Sequence, residues 1–132
     1  MPRYDYNKSI SPLAPGLNIT FFPSTGLLRS PFKIKRWAKI DTGADVTLIP
    51  HSILWRVGVK TEKNVEVESF DGVPKKRPTF KVNFEVAGYK YEREVISSPG
   101  KSILLGRDIL NQWKLILNGC NLKFEIEKCI KK

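Results

Sequence analysis

Phe80-Lys81-Val82-Asn83-Phe84-Glu85-Val86 alternates apolar and polar side chains without a break. Successive side chains on a strand point to opposite faces, so this period of two predicts a strand with one face buried. Val65-Glu66-Val67-Glu68 repeats the pattern more briefly, and Asn18 to Phe22 predicts a first strand. Another is expected within Pro31 to Ile40, where Phe32, Ile34 and Ala38 or Ile40 sit among basic residues. Val46 to Ile49 is an apolar run read as a strand, and Ile103-Leu104-Leu105, short and wholly apolar, is read as a buried strand. Ala87-Gly88 turns the chain into a strand over Tyr89 to Ile96, and Leu115–Leu117 and Leu122–Ile126 flank a turn near Asn118-Gly119. Pro23 to Gly26 and Asp71-Gly72 also read as turns, and Lys75 to Pro78 as part of a connection. Two short helices are predicted. One runs from His51 to Val57, with Pro50 in its first turn, Ile53, Leu54 and Val57 on its buried face and Gly58 as its stop. The other spans Asp108 to Trp113. Residues 1–14, polar and broken by Pro2 and Pro12, are expected to form a loose N-terminal arm, and residues 15–132 a single, mostly β domain.

A chain of 132 residues can bury a core without staples. No apolar run approaches the roughly 18 residues that span a bilayer, and Met1 to Tyr6 lacks the apolar centre of a secretory signal. A cytoplasmic protein with no membrane partner is the resulting expectation. Cys120 and Cys129 are the only cysteines, and on one extended strand they would stand roughly 30 Å apart, too far to bridge. They read as reduced thiols, and with a single histidine in the chain neither a metal nor another cofactor is expected.

The feature that carries chemistry is Asp41-Thr42-Gly43-Ala44, set between the apolar end of one predicted strand and the start of the next. Hydrolysis of a peptide without a metal or a covalent nucleophile needs an activated water. Two carboxylates about 3 Å apart and sharing one proton can activate it. At an effective dielectric of about 20, two charges at that distance repel by roughly 5 kcal/mol, so only one ionises and the pair titrates as a unit. A bell-shaped pH profile follows. The chain has one Asp-Thr-Gly, so a second copy must supply the second carboxylate. A two-fold homodimer does this from one sequence. Thr42 could then lock the two loops together across the axis, since a hydroxyl donates and accepts at once. Gly43 permits the close approach the turn needs, and Ala44 leaves room for substrate.

Asp41-Thr42-Gly43-Ala44-Asp45, followed some 65 residues later by Ile103-Leu104-Leu105-Gly106-Arg107-Asp108, resembles the retropepsin family, the homodimeric aspartic proteases of retroviruses, retrotransposons and related bacterial genes. The run from Val46 to Gly58, with Ile49-Pro50 and a short helix, is more similar to the retrotransposon and bacterial members. The resemblance covers roughly residues 18 to 126. It implies an acid-protease half-barrel with two short helices, completed as a two-fold homodimer. It also implies Asp41 as the catalytic aspartate, Thr42 as the locking hydroxyl and Gly43 in contact with the substrate backbone. Asp45 would hold the substrate main chain and pair with Arg107. Gly106 would pack behind the active-site loop, and Arg107 would open the last helix. Family flaps are rich in glycine at the tip. Here the corresponding hairpin offers only Gly72, beside Phe70 and Asp71, and these three are the candidates for substrate contact from above.

Asp-Thr-Gly alone is most often just a turn. The flanking strands, Ala44 and the downstream Leu-Leu-Gly-Arg-Asp are what raise it to a catalytic reading. Asp45 and Arg107 have an ordinary alternative as a surface ion pair, His51 as a surface residue, and Trp37, Trp55 and Trp113 as core or dimer-interface packing. The expected function is an aspartic endopeptidase acting on peptide or protein substrates. The alternative is a catalytically weak or inactive module of the same fold that binds polypeptides. A net charge of +10 (23 basic, 13 acidic) raises nucleic acid as a partner. The basic residues are scattered among acidic ones and no nucleic-acid motif is present, so that partner is not favoured.

Overall fold

The computed structural model describes residues 2–22, 33–57, 59, 61–68 and 72–129. In chain order these form β1 (Arg3–Asp5), β2 (Gly16–Phe22), β3 (Ile34–Ile40), β4 (Leu48–Pro50), α1 (His51–Val57), β5 (Thr61–Glu68), β6 (Pro74–Val86), β7 (Tyr89–Ser98), β8 (Ile103–Leu105), α2 (Arg107–Leu110), β9 (Trp113–Asn118) and β10 (Lys123–Lys128). The molecule is mostly β with two short helices. The expected turn at Pro23–Gly26, the first residues of the Pro31–Ile40 segment and the helix stop at Gly58 lie outside the described residues.

The main sheet runs β2-β3-β8-β4-β7-β6-β5, and β2 also pairs with β6. That second pairing closes a six-stranded ring within one chain, where a half-barrel was expected. It forms because Thr20, Phe21 and Phe22 lie against Glu85, Phe84 and Asn83. Ile19, Phe21, Phe84, Val95, Leu105 and Ile109 are at most 1% exposed and fill the ring. Each such side chain contributes on the order of 1.5–3 kcal/mol by leaving water. The alternation that predicted β6 is realised: Phe80, Val82, Phe84 and Val86 are buried while Lys81 and Asn83 face out. Pro50 closes β4 instead of opening α1, and α2 begins at Arg107 and is only one turn long.

β5 pairs with β6 alone, so the two form a hairpin projecting from the barrel. Residues 74–78, expected as a connection, belong to the strand and pair with Asn64 to Glu68. Two prolines fit there because β7 begins its pairing only at Thr79, leaving one side of the strand without a ladder. A second sheet, β1-β10-β9, carries both chain ends. The expected loose arm is therefore corrected. Arg3 to Asp5 pairs with Lys123 to Glu125, Tyr4 stacks on Phe124 with ring centroids 5.2 Å apart, and Ala14 is buried.

Among the tryptophans, Trp113 is buried and its indole N–H donates to the Tyr91 hydroxyl at 2.8 Å. Trp37 is half-buried, and Gly16 beneath it has no room for a side chain, since a Cβ would lie 2.1 Å from the indole. Trp55 is 60% exposed on α1, so it is not a core residue. Both cysteines are free and exposed. No helix among the described residues is long and apolar enough to cross a membrane.

Candidate active site

Asp41 follows directly on β3. Its N–H donates to Leu105 O on β8 at 3.0 Å, which fixes the start of the turn to the neighbouring strand. The turn closes on itself: Gly43 N–H donates to Asp41 Oδ1 at 2.9 Å and Ala44 N–H to Asp41 O at 3.2 Å. A Cβ on Gly43 would stand 3.3 Å from Asp41 Oδ1, so glycine lets the backbone close tightly around the carboxylate. Asp41 is half-buried, and Thr42 and Gly43 are exposed. The second Asp41 oxygen takes no hydrogen bond from the described residues of its own chain.

The far side of the loop is held by α2. Arg107 N–H donates to Ala44 O at 2.8 Å. Gly106 is needed for contact: a Cβ there would come within 2.5 Å of the Val46 carbonyl carbon and 2.7 Å of its oxygen. The Arg107 guanidinium donates to Asp45 Oδ1, with both side chains at least half exposed. So Asp41 through Asp45, Gly106 and Arg107 form one connected unit.

A further pair, not assigned a role from sequence, anchors that unit. Thr47 is fully buried; its hydroxyl donates to Asp108 Oδ1 at 2.8 Å and accepts from Gly106 N–H at 3.2 Å. Thr47 N–H reaches Asp108 Oδ2 at 3.2 Å, and Ile109 N–H reaches Oδ1 at 2.9 Å. Thr47 and Asp108 are 61 positions apart. The available signal was a lone threonine inside the apolar run Val46 to Ile49, a buried polar residue that had to find a partner.

Beside the loop lies a groove of about 820 Å³. Gly43, Ala44 and Asp45 line one wall, Val65 and Val67 of the projecting hairpin another, and Ile96 of β7 is also in the lining. Asp41 and Thr42 are not among its lining residues. Besides Asp45, the lining carries Lys63, Glu66 and Glu94. Glu94 accepts from the buried Thr79 hydroxyl at 2.7 Å and lies 3.5 Å from Lys63 Nζ. The Thr79 hydrogen bond, aided by the charge of Lys63, holds the Glu94 carboxyl below the usual glutamate range. Of the expected contacts from above, Gly72 is described, exposed and turned through a positive φ of 72°, while Phe70 and Asp71 lie outside the described residues. His51, read as a surface residue, is exposed, with Nδ1 3.5 Å from the Ser97 hydroxyl. No cluster of three or more metal-ligating side chains occurs among the described residues.

The family model described as retroviral aspartyl protease matches residues 31–118, more than half of the chain, and includes the whole loop, groove wall and α2. The chain belongs to the retroviral aspartyl protease family. The solved structures include a relative, the solution structure of simian foamy virus (mac) protease. It superposes with a TM-score of 0.53 at 25% sequence identity, covering 74% of this chain and 92% of that one. Comparison with curated proteins gives no match. Membership of the retroviral aspartyl protease family accounts for the combination of a closed β barrel, an Asp-Thr-Gly turn and a Gly-Arg-Asp helix start in one unit.

Proposed function

We propose that this member of the family is an aspartic endopeptidase, active as a homodimer in which two Asp41 carboxylates hold one water. The observation that carries the proposal is the Asp41 turn: a carboxylate fixed by Gly43 N–H, tied to β8 and α2, beside a groove of about 820 Å³ with a largely apolar lining. In the dimer one Asp41 takes a proton from the water as its oxygen attacks the carbonyl carbon. The other, protonated, donates to the carbonyl oxygen as it becomes tetrahedral. Collapse of that intermediate breaks the C–N bond and passes a proton to the departing nitrogen, leaving a carboxylic acid and an amine. Thr42 of each copy braces the paired loops, Gly43 and Asp45 hold the substrate main chain, and Arg107 orients Asp45. Gly72 and its neighbours Phe70 and Asp71 cover the substrate. The apolar lining from Val46, Leu48, Val65, Val67 and Ile96 supports a preference for apolar side chains beside the cut.

The test is digestion of a peptide library at several pH values, with Asp41→Asn alongside. Cleavage by the wild type and none by the variant is expected. Cleavage that survives the substitution removes the mechanism. Binding of library peptides by both proteins, with cleavage by neither, would establish a binding module of the same fold instead.

A further inference from the structure

Alternation along β3 sorts its charges as well as its core residues. Ala38 and Ile40 are buried, so Lys35, Trp37 and Lys39 lie on the opposite, outer face, and Lys33 precedes them on the same side. The three lysines are exposed, and no ion pair among the described residues involves any of them. Basic residues that look dispersed along the chain thus form one row, with alternate positions about 6.8 Å apart and a single aromatic ring among them.

The neighbouring strand completes the face. β2 sets Asn18 opposite Trp37 and Thr20 opposite Lys35. Phe22 follows on the same side, with Lys33 Nζ 5.3 Å and Lys90 Nζ 5.8 Å from its ring centroid. Glu92, opposite Asn83, is neutralised by Lys81 at 3.1 Å. Trp37 rests against the bare backbone of Gly16, where a Cβ would come 2.1 Å from its Cζ2 and 2.4 Å from its Cε2. That contact holds the ring in place and leaves it partly exposed. Beside it is a depression of about 480 Å³, lined among others by Asp5, Asn18, Thr20, Lys35, Trp37 and Glu85. The Asn18 amide, the Thr20 hydroxyl and the Trp37 indole N–H make no hydrogen bond among the described residues.

We infer that this outer face of the barrel binds single-stranded nucleic acid. The phosphates track the row of Lys33, Lys35 and Lys39, and one base enters the depression and stacks on Trp37. Charge complementarity selects a polyanion, on a chain whose net charge is +10. The aromatic ring beside a recess selects a polyanion that carries flat rings, since base stacking on an aromatic side chain tolerates any sequence. Asp5 and Glu85 repel phosphate but accept hydrogen bonds from the amino group of a base. They therefore place the base, and not the backbone, in the depression. Bases inside a duplex are stacked on each other and do not reach Trp37, so the partner is a single strand.

Fluorescence anisotropy with labelled oligo(dC) of about 12 nucleotides, within the span one small barrel covers, tests this without reference to peptide cleavage. The wild type is expected to bind the single strand more tightly than a duplex of the same length, and less tightly as salt rises. Lys33→Ala/Lys35→Ala should weaken binding and lower the slope of log affinity against log salt by about 1.4, from two phosphates at about 0.7 each. Trp37→Ala should weaken binding by at least about fivefold at unchanged slope, because it removes stacking and not charge. Trp37→Phe keeps an aromatic ring and should recover most of that loss, and thermal melts check that each variant is folded. Lys75→Ala/Lys76→Ala, an exposed pair on the projecting hairpin, controls for net charge and should bind nearly as the wild type does. Equal losses from the two lysine pairs would overturn the inference, as would a duplex bound as tightly as the single strand or no binding at all. Displacement by polyglutamate of equal charge would assign the face to an acidic polypeptide instead.

Discussion

Replacing Thr47 by valine should loosen the candidate active site from behind without touching its surface. The side chain is fully buried, and valine keeps its shape while losing the hydroxyl. Two bonds disappear: the 2.8 Å bond to the Asp108 carboxylate and the 3.2 Å bond from Gly106 N–H. A hydrogen bond to a charged group contributes about 1.5–3 kcal/mol, and a buried N–H left without an acceptor costs about 1–3 kcal/mol. Asp108 keeps Thr47 N–H and Ile109 N–H, which places the carboxylate's loss near the lower figure. The expected destabilisation is therefore about 3 kcal/mol. With a urea slope of about 2 kcal/mol per M, the unfolding midpoint should drop by roughly 1.5 M at unchanged slope. Thr47→Ser is the control, since it keeps both bonds and loses one methyl group, at about 1 kcal/mol. Both variants are to be compared at one fixed protein concentration, because dimerisation would add to apparent stability. If valine and serine destabilise equally, the Thr47–Asp108 link contributes nothing net and the reasoning fails.

Three further outcomes follow from the same geometry. Gly106→Ala should destabilise by about 1–3 kcal/mol or more, because its Cβ would meet backbone atoms of Val46 at 2.5 and 2.7 Å that no rotamer change can move; a thermal melt within a degree of wild type would contradict it. Arg107→Ala should lose less than about 1 kcal/mol of stability, since its partner Asp45 is 80% exposed, while raising KM for peptides; a large loss of stability would show the pair to be structural. Glu94, held below the usual glutamate range in the fold, contributes stability that is present above the unfolded-state value of about 4.3 and is lost as pH falls through its lower folded value. Glu94→Gln should therefore destabilise at pH 7 and make little difference near pH 2, and equal effects at both would refute the link to Thr79.

The parts legible from sequence were those written locally. The alternation at Phe80 to Val86 and the apolar triplet Ile103 to Leu105 became β6 and β8 with the expected burial, since period and face are set by neighbours along the chain. The hairpin around Asn118-Gly119 was equally plain. Residues 74–78 were not, because Pro74 and Pro78 signal a break until one sees that β7 has not yet joined that side. The arm was missed because Tyr4 and Tyr6 lie about 120 positions from Phe124, against which both rings pack. The same distance problem hid the ring closure between β2 and β6 and the Thr47–Asp108 pair. Within the site, the family resemblance implied that Gly106 packs behind the loop and that Arg107 pairs with Asp45; the atoms Gly106 meets, those of Val46, and the buried Thr47 hydroxyl beneath them were not foreseen.

A single titration tests the shared site most directly. Wild type is mixed with Asp41→Asn at constant total protein, and peptide cleavage is followed as the fraction of variant rises. If each active unit needs an Asp41 from both copies, random pairing leaves about a quarter of the activity at an equal mixture. A straight-line fall to about half at that point would mean that each chain cuts on its own, and the two-fold account would be wrong.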